Sequence, residues 1–328
     1  MKPMGQFLIA LVAVWTCGCI AAFFYFQQQN IPRHLEVILV PALLLELSFY
    51  LVPGFPEARK LFDRIKSKFA RAALLTVSAI VPYLYVSLQL HSFHFLSFLL
   101  LISVAAAACF WYAWIRPSTL IDLLFLAFMG VVFIYKIFPG IYVRPFPNLQ
   151  VEVLGRLMWV RIGLMSVLSI RRLENVRFGF VPNPGEWRIG IEQFLYFIPV
   201  GVIAAYFLRV ASYRPLAVAW WEFPLYVLGT FLGVLWVLAL AEEFFFRGFL
   251  QQLLTRGLHS EIAALLVTSV IFGLVHLPMR HFPNWRFAAV AGLAGLFYGL
   301  AFIRARSVRA CMVTHALVVT TWRIFFRG

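Results

Sequence analysis

Apolar residues run along this chain in long blocks, and the breaks between the blocks hold most of its charge. A helix rises about 1.5 Å per residue, so crossing a hydrocarbon core of about 30 Å takes about twenty apolar residues. Blocks of that order fall near residues 6–26, 35–53, 72–90, 95–115 and 119–138, and again near 192–211, 222–254, 261–278, 286–303 and 309–326. The pattern predicts an all-α polytopic transmembrane bundle of about ten membrane helices. Lys2 precedes the first block as it would in a signal peptide. No small-x-small cleavage pattern ends that run, so it reads as a retained anchor.

Between the two sets of blocks the pattern changes. Pro139, Gly140, Pro145 and Pro147 interrupt it, and Val151 to Ile170 is apolar but broken by Glu152, Arg156 and Arg161. That stretch either lies along the interface or crosses as a less hydrophobic helix. Arg171, Arg172 and Arg177 close it, and Phe178 to Trp187, rich in Pro, Gly and aromatic residues, reads as a connector. The expected organisation is a five-span region over 1–140, a connecting region over 141–190 and a C-terminal membrane module over 191–328.

Composition narrows the class. Of 328 residues 63% are hydrophobic and 12% charged, against about 25% charged in a globular chain, and mean hydropathy is +0.89. The net charge is +15, from 28 basic and 13 acidic residues. In a soluble chain that excess would point to nucleic acid. Here the cations lie between apolar blocks, so the expected partner is the lipid bilayer, with no nucleic acid. The densest group, Arg59, Lys60, Arg64, Lys66, Lys68 and Arg71, is placed in the cytoplasm, as is the turn carrying Arg304, Arg306 and Arg309. Short loops and the lack of a soluble domain suggest the cytoplasmic membrane of a prokaryote. Cys17, Cys19, Cys109 and Cys311 all fall inside apolar blocks, which argues against a disulfide framework. His91 and His94 have a spacing that suits a metal, but no third ligand is near, and they read as an interfacial turn.

One stretch departs from the economy of the rest. The nineteen residues from Phe223 to Ala241 are uncharged, and Glu242 and Glu243 follow at once. An ionised side chain at the centre of a membrane helix costs about 2.5–3.5 kcal/mol on insertion scales, so such residues are paired or functional. Glu243 and Arg247 stand at i and i+4, the favourable order for an ion pair. Glu242 points about 100° away and has no partner on its own helix, which makes it the candidate reactive carboxylate. On the next block, His276 ends Phe272-Gly-Leu-Val-His276. If the chain reverses near Leu258, Glu242 and His276 differ in height by only about 3 Å, as an acid/base pair requires. Gly292, Gly295 and Gly299 permit close helix packing, and His315 stands on the last block.

Glu242-Glu243-x-x-x-Arg247, then Phe272-x-x-x-His276, then His315 followed by alanine, on successive helices, resembles the CPBP (ABI) family of intramembrane proteases, whose best-known members are type II CAAX prenyl endopeptidases. The resemblance covers about residues 190–326. It implies a catalytic module that cleaves a peptide bond of a membrane-anchored, lipidated or sorting-signal-bearing protein near the membrane surface. Glu242 with His276 would activate water, Glu243 would pair with Arg247, and His315 would help hold the oxyanion. It also implies a glutamic protease with no cofactor. Zinc is the alternative, but the His-Glu-x-x-His spacing is absent. One position departs from the family: Val319 stands where Asn or Asp usually follows the histidine by four residues, leaving Thr320, Arg323 or another helix to supply a donor. That departure supports a second reading, a non-catalytic protein of the same fold with an immunity or scaffolding role. A transporter with Glu242 as proton carrier would need matching broken helices in two halves, which the sequence does not show.

Overall fold

The structure, a computed structural model, describes residues 3–174 and 176–327; Lys2 lies outside them. Among the described residues eight helices are long and apolar enough to cross a membrane, and Thr119–Ile134 and Glu261–Leu274 are shorter apolar helices. The chain is an all-α, multi-pass integral membrane protein. It divides into two compact units, Met1–Glu174 and Asn175–Gly328.

The first unit contains α1 (Pro3–Gln28), α2 (Arg33–Leu51), α3 (Pro56–Asp63), α4 (Lys68–Gln89), α5 (Phe95–Trp114), α6 (Thr119–Ile134) and α7 (Val153–Met165), the last continued by a π-helical turn to Ile170. The stretch Val153–Ile170, whose charges left it ambiguous in sequence, is the most buried of the long apolar helices. Its charge is what ties it in. Arg161 donates from Nε to Glu46 Oε1 at 2.9 Å and from Nη1 to Ser78 Oγ at 2.8 Å, with both charged groups buried. Asp122 is held in the same way, accepting from Arg171 Nε at 2.8 Å and from the Tyr112 hydroxyl at 3.0 Å. Each intramembrane charge in these two sets has an opposite charge beside it, as the cost of leaving one alone demands.

The second unit is built from α8 (Pro184–Phe207), α9 (Phe223–Leu258), α10 (Glu261–Leu274), α11 (Trp285–Ala305) and α12 (Val308–Phe325). A capping box starts α8: the Asn183 side chain accepts from Glu186 N at 2.9 Å, and Glu186 accepts from Asn183 N at 2.8 Å. The connector before it packs on α9, with Phe178 edge-on to Phe244 and the Phe180 carbonyl accepting from Trp236 Nε1 at 3.0 Å. His259, in the left-handed conformation with φ 54°, ends α9. Ser260 then caps α10, so two antiparallel helices meet across a two-residue corner.

Glycine sets the spacing of the helices that follow. A Cβ on Gly273 would lie 2.6 Å from the Ala288 carbonyl oxygen and 3.2 Å from the Gly292 Cα, so α10 and α11 touch backbone to backbone. Gly273→Ala is expected to force them apart and cost about 1–3 kcal/mol, the range for overpacking a tight contact. Thermal unfolding in detergent reads this directly, and an unchanged midpoint would contradict the contact.

Candidate active site

The long helix α9 carries both glutamates, and it is not a uniform α-helix there. A four-residue α segment, Leu240–Glu243, sits between two π-helical segments, Val234–Ala239 and Phe244–Gln251. Such wide turns recur where a helix must re-aim side chains at a functional site. Glu243 and Arg247 remain on one face, with Arg247 Nε 3.3 Å from Glu243 Oε2, and both are fully buried.

Neighbouring helices complete the environment of Arg247. Its Nη2 donates to the Gly295 carbonyl of α11 at 2.9 Å. Its guanidinium carbon lies 4.5 Å from the Phe272 ring centroid and 5.4 Å from that of Tyr298. A Cβ on Gly295 would stand 3.1 Å from Arg247 Nη2, so this glycine also keeps room for the guanidinium. Cation–π contacts of this kind replace part of the hydration a buried guanidinium gives up.

The second partner of Glu243 comes from α12. His315 Nδ1 lies 2.7 Å from Glu243 Oε1. A carboxylate only accepts, so the bond places a proton on Nδ1 and turns Nε2 away from Glu243. The imidazole is stacked on Tyr298, centroids 4.5 Å apart and planes 12° from parallel, and the Phe272 ring stands edge-on at 6.1 Å. With one nitrogen bonded and both ring directions packed, Nε2 has one direction left. It faces Glu242, whose Oε2 is 3.9 Å away. That oxygen is buried without a hydrogen-bond partner among the described residues, while the Glu242 side chain as a whole is 23% exposed.

His276 sits elsewhere in the cluster. Helix α10 ends at Leu274, so His276 lies in the turn beyond it, where its Nδ1 bonds the Phe272 carbonyl at 2.7 Å. Its ring packs against Phe272 at 4.7 Å and Phe287 at 5.9 Å. The helix count that put Glu242 and His276 at one height assumed unbroken α-helix to residue 276. The π segment Phe244–Gln251, which lies between Glu242 and the corner, and the end of α10 at Leu274 depart from that assumption. Phe272 packs against both histidines. On α12, Val319 is half-buried, Thr320 is buried with its hydroxyl unpartnered among the described residues, and Arg323 is exposed.

The sequence reading did not single out Tyr298 or the Gly295 carbonyl. Tyr298 is three residues past Gly295 and so on the same face of α11, but that spacing alone says nothing of its stacking on His315. Across the described residues, no group of three or more His, Cys, Asp or Glu side chains is arranged to hold a metal ion.

A multi-pass helical bundle with a buried glutamate–arginine–histidine constellation defines a membrane protein with an intramembrane polar site. Residues 224–321 match the family model described as type II CAAX prenyl endopeptidase Rce1-like. The match lies within the C-terminal module, which is thus similar to the family that its motifs resemble. The matched segment holds Glu242, Glu243, Arg247, Phe272, His276, Tyr298 and His315. No curated protein and no solved structure gives a significant match.

Proposed function

We propose that the chain is an intramembrane endopeptidase, hydrolysing a peptide bond near the membrane surface in a membrane-anchored, lipidated or sorting-signal-bearing protein. One distance carries the reading, the 3.9 Å between Glu242 Oε2 and His315 Nε2. It is too long for a hydrogen bond and fits a water oxygen about 2.8 Å from each atom. With the His315 proton on Nδ1, both facing atoms are acceptors. A water between them donates both its hydrogens, and its lone pairs turn outward to a substrate carbonyl. Glu242 takes one proton as the oxygen adds to the carbonyl carbon, and returns it to the leaving nitrogen as the C–N bond breaks. Arg247 balances the charge of Glu243, so Glu243 orients His315 without adding a second net charge beside Glu242. His276, across Phe272, spends its Nδ1 proton on the Phe272 carbonyl, so as a neutral imidazole it offers an acceptor at Nε2 and fits the activation of water better than the holding of an oxyanion.

The reading needs no metal. Among the described residues no three His, Cys, Asp or Glu side chains are arranged to hold a metal ion, whereas zinc hydrolases present three protein ligands. The test is cleavage of a panel of membrane-anchored peptides, prenylated tails included, by the purified full-length protein in liposomes. Cleavage that persists in a strong chelator is the expected result. Loss in chelator with recovery on added zinc overturns the metal-free chemistry, and no cleavage across the panel overturns the protease reading itself.

A further inference from the structure

The two ends of the second unit hold their arginines in different states. Where α11 turns into α12, each arginine has a carboxylate beside it. Arg304 Nη2 is 2.8 Å from Glu192, Arg306 Nη2 is 2.5 Å from Glu261, and Arg309 Nη2 is 2.8 Å from Glu186. These three guanidiniums are neutralised from within, while Arg177 and Arg256 at that end are exposed with no carboxylate partner among the described residues.

The opposite end differs. Arg209, Arg214, Arg280, Arg286 and Arg323 are all exposed, and none has a carboxylate partner among the described residues. They come from separate stretches that the backbone gathers together. Ser212–Tyr213 pairs antiparallel with Phe326–Arg327, and Arg214 N donates to the Phe325 carbonyl at 2.9 Å. Arg280 Nη1 donates to the Val210 carbonyl at 2.9 Å. Val210, Val290, Phe287 and Trp322 share one small apolar cluster beneath them. Across residues 206–222, 278–286 and 322–327 the sole carboxylate is Glu222, and there is no lysine.

The same end is collared by exposed aromatic rings. Phe207, Trp220, Trp221, Phe282 and Trp285 are each more than half exposed, Trp220 at 86%. Rings of this kind sit at the depth where hydrocarbon meets headgroup. Guanidinium groups interleaved with them lie at the depth of the lipid phosphates, and arginine's planar fork fits phosphate oxygens two at a time. An acidic peptide arriving from water would meet cations but leave this aromatic collar without an apolar partner.

We propose that this end of the second unit is a docking surface for the headgroups of anionic phospholipid. It is distinct from the glutamate–histidine cluster, and the proposal does not depend on catalysis. Because the α10–α11 turn carries both His276 and Arg280, lipid held there also steadies the segment next to the polar site.

Hydrogen exchange on the full chain in nanodiscs tests it. Exchange across 206–217 and 278–288 is expected to slow about fivefold or more in phosphatidylglycerol relative to phosphatidylcholine, the scale of one basic contact to an anionic surface. The paired end, 184–192 and 304–309, is expected to show no such difference. In Arg209→Gln/Arg214→Gln/Arg286→Gln/Arg323→Gln the slowing should vanish; Arg280 is left in place because it ties the turn to Val210. An equal rate in both lipids for the wild type overturns the proposal, and this arm needs no variant to fold. So does slowing that survives in the variant. Protection by a soluble oligoglutamate peptide but not by phosphatidylglycerol overturns it in favour of an acidic protein partner.

Discussion

Glu242→Gln is expected to reduce cleavage by about 10²–10⁴-fold in kcat, the span that a positioned general base contributes. Glutamine keeps the shape and the two-sided contact with a bridging water, but its carbonyl oxygen is a far weaker base. Its affinity for substrate should be little changed, because a base acts on the transition state more than on binding. The unfolding midpoint should hold or rise, since the change removes an intramembrane charge with no hydrogen-bond partner for Oε2 among the described residues. A variant that cleaves within threefold of wild type would remove Glu242 from the reaction and leave the neighbouring imidazoles to explain it.

Arg247→Met is expected to cost about 3–5 kcal/mol of stability, the loss typical of stranding one member of a buried ion pair. The guanidinium does more than pair with Glu243: it donates to Gly295 and lies on Phe272 and Tyr298. Methionine fills much of the space and contacts rings well, so the loss reports chiefly the abandoned carboxylate. The companion variant makes that explicit. Glu243→Gln/Arg247→Met should recover much of the loss, because no buried charge is then left alone and the glutamine oxygen still accepts from His315. Chemical or thermal unfolding of single and double variants checks both. A double variant as unstable as Arg247→Met would show that packing, rather than charge, sets the effect.

Much of this architecture was legible in the chain because a bilayer imposes a length on every crossing segment. Blocks such as Phe95–Trp114 and Trp285–Ala305 declare themselves by apolar run and charged ends alone. The i, i+4 spacing of Glu243 and Arg247 likewise survives into the structure. What periodicity missed was local departure from α-geometry. Nothing in Val234–Ala239 or Phe244–Gln251 marks a π turn, and nothing in the apolar run announces that α10 ends at Leu274, ahead of His276. The capping box at Asn183 and Glu186 was visible as residues, but the Pro and Gly between them read as loop, although proline is well suited to the first turn of a helix. Tyr298 was hidden for another reason. Its stacking on His315 joins α11 to α12, and a lone sequence carries no record of contacts between helices.

Glu243 receives its partners from two directions: Arg247 from its own helix, and His315 from the helix made last among the five of this unit. During synthesis the two glutamates emerge some seventy positions ahead of His315, as their separation of 72 residues dictates. Until α12 docks, Tyr298 has no imidazole to stack on and Glu242 no nitrogen to face. On the proposed reading, a nascent chain in the translocon thus presents carboxylates without the imidazole that would align a water. Completion of the fold and, on that same reading, the onset of activity become one event, timed by the arrival of a single helix.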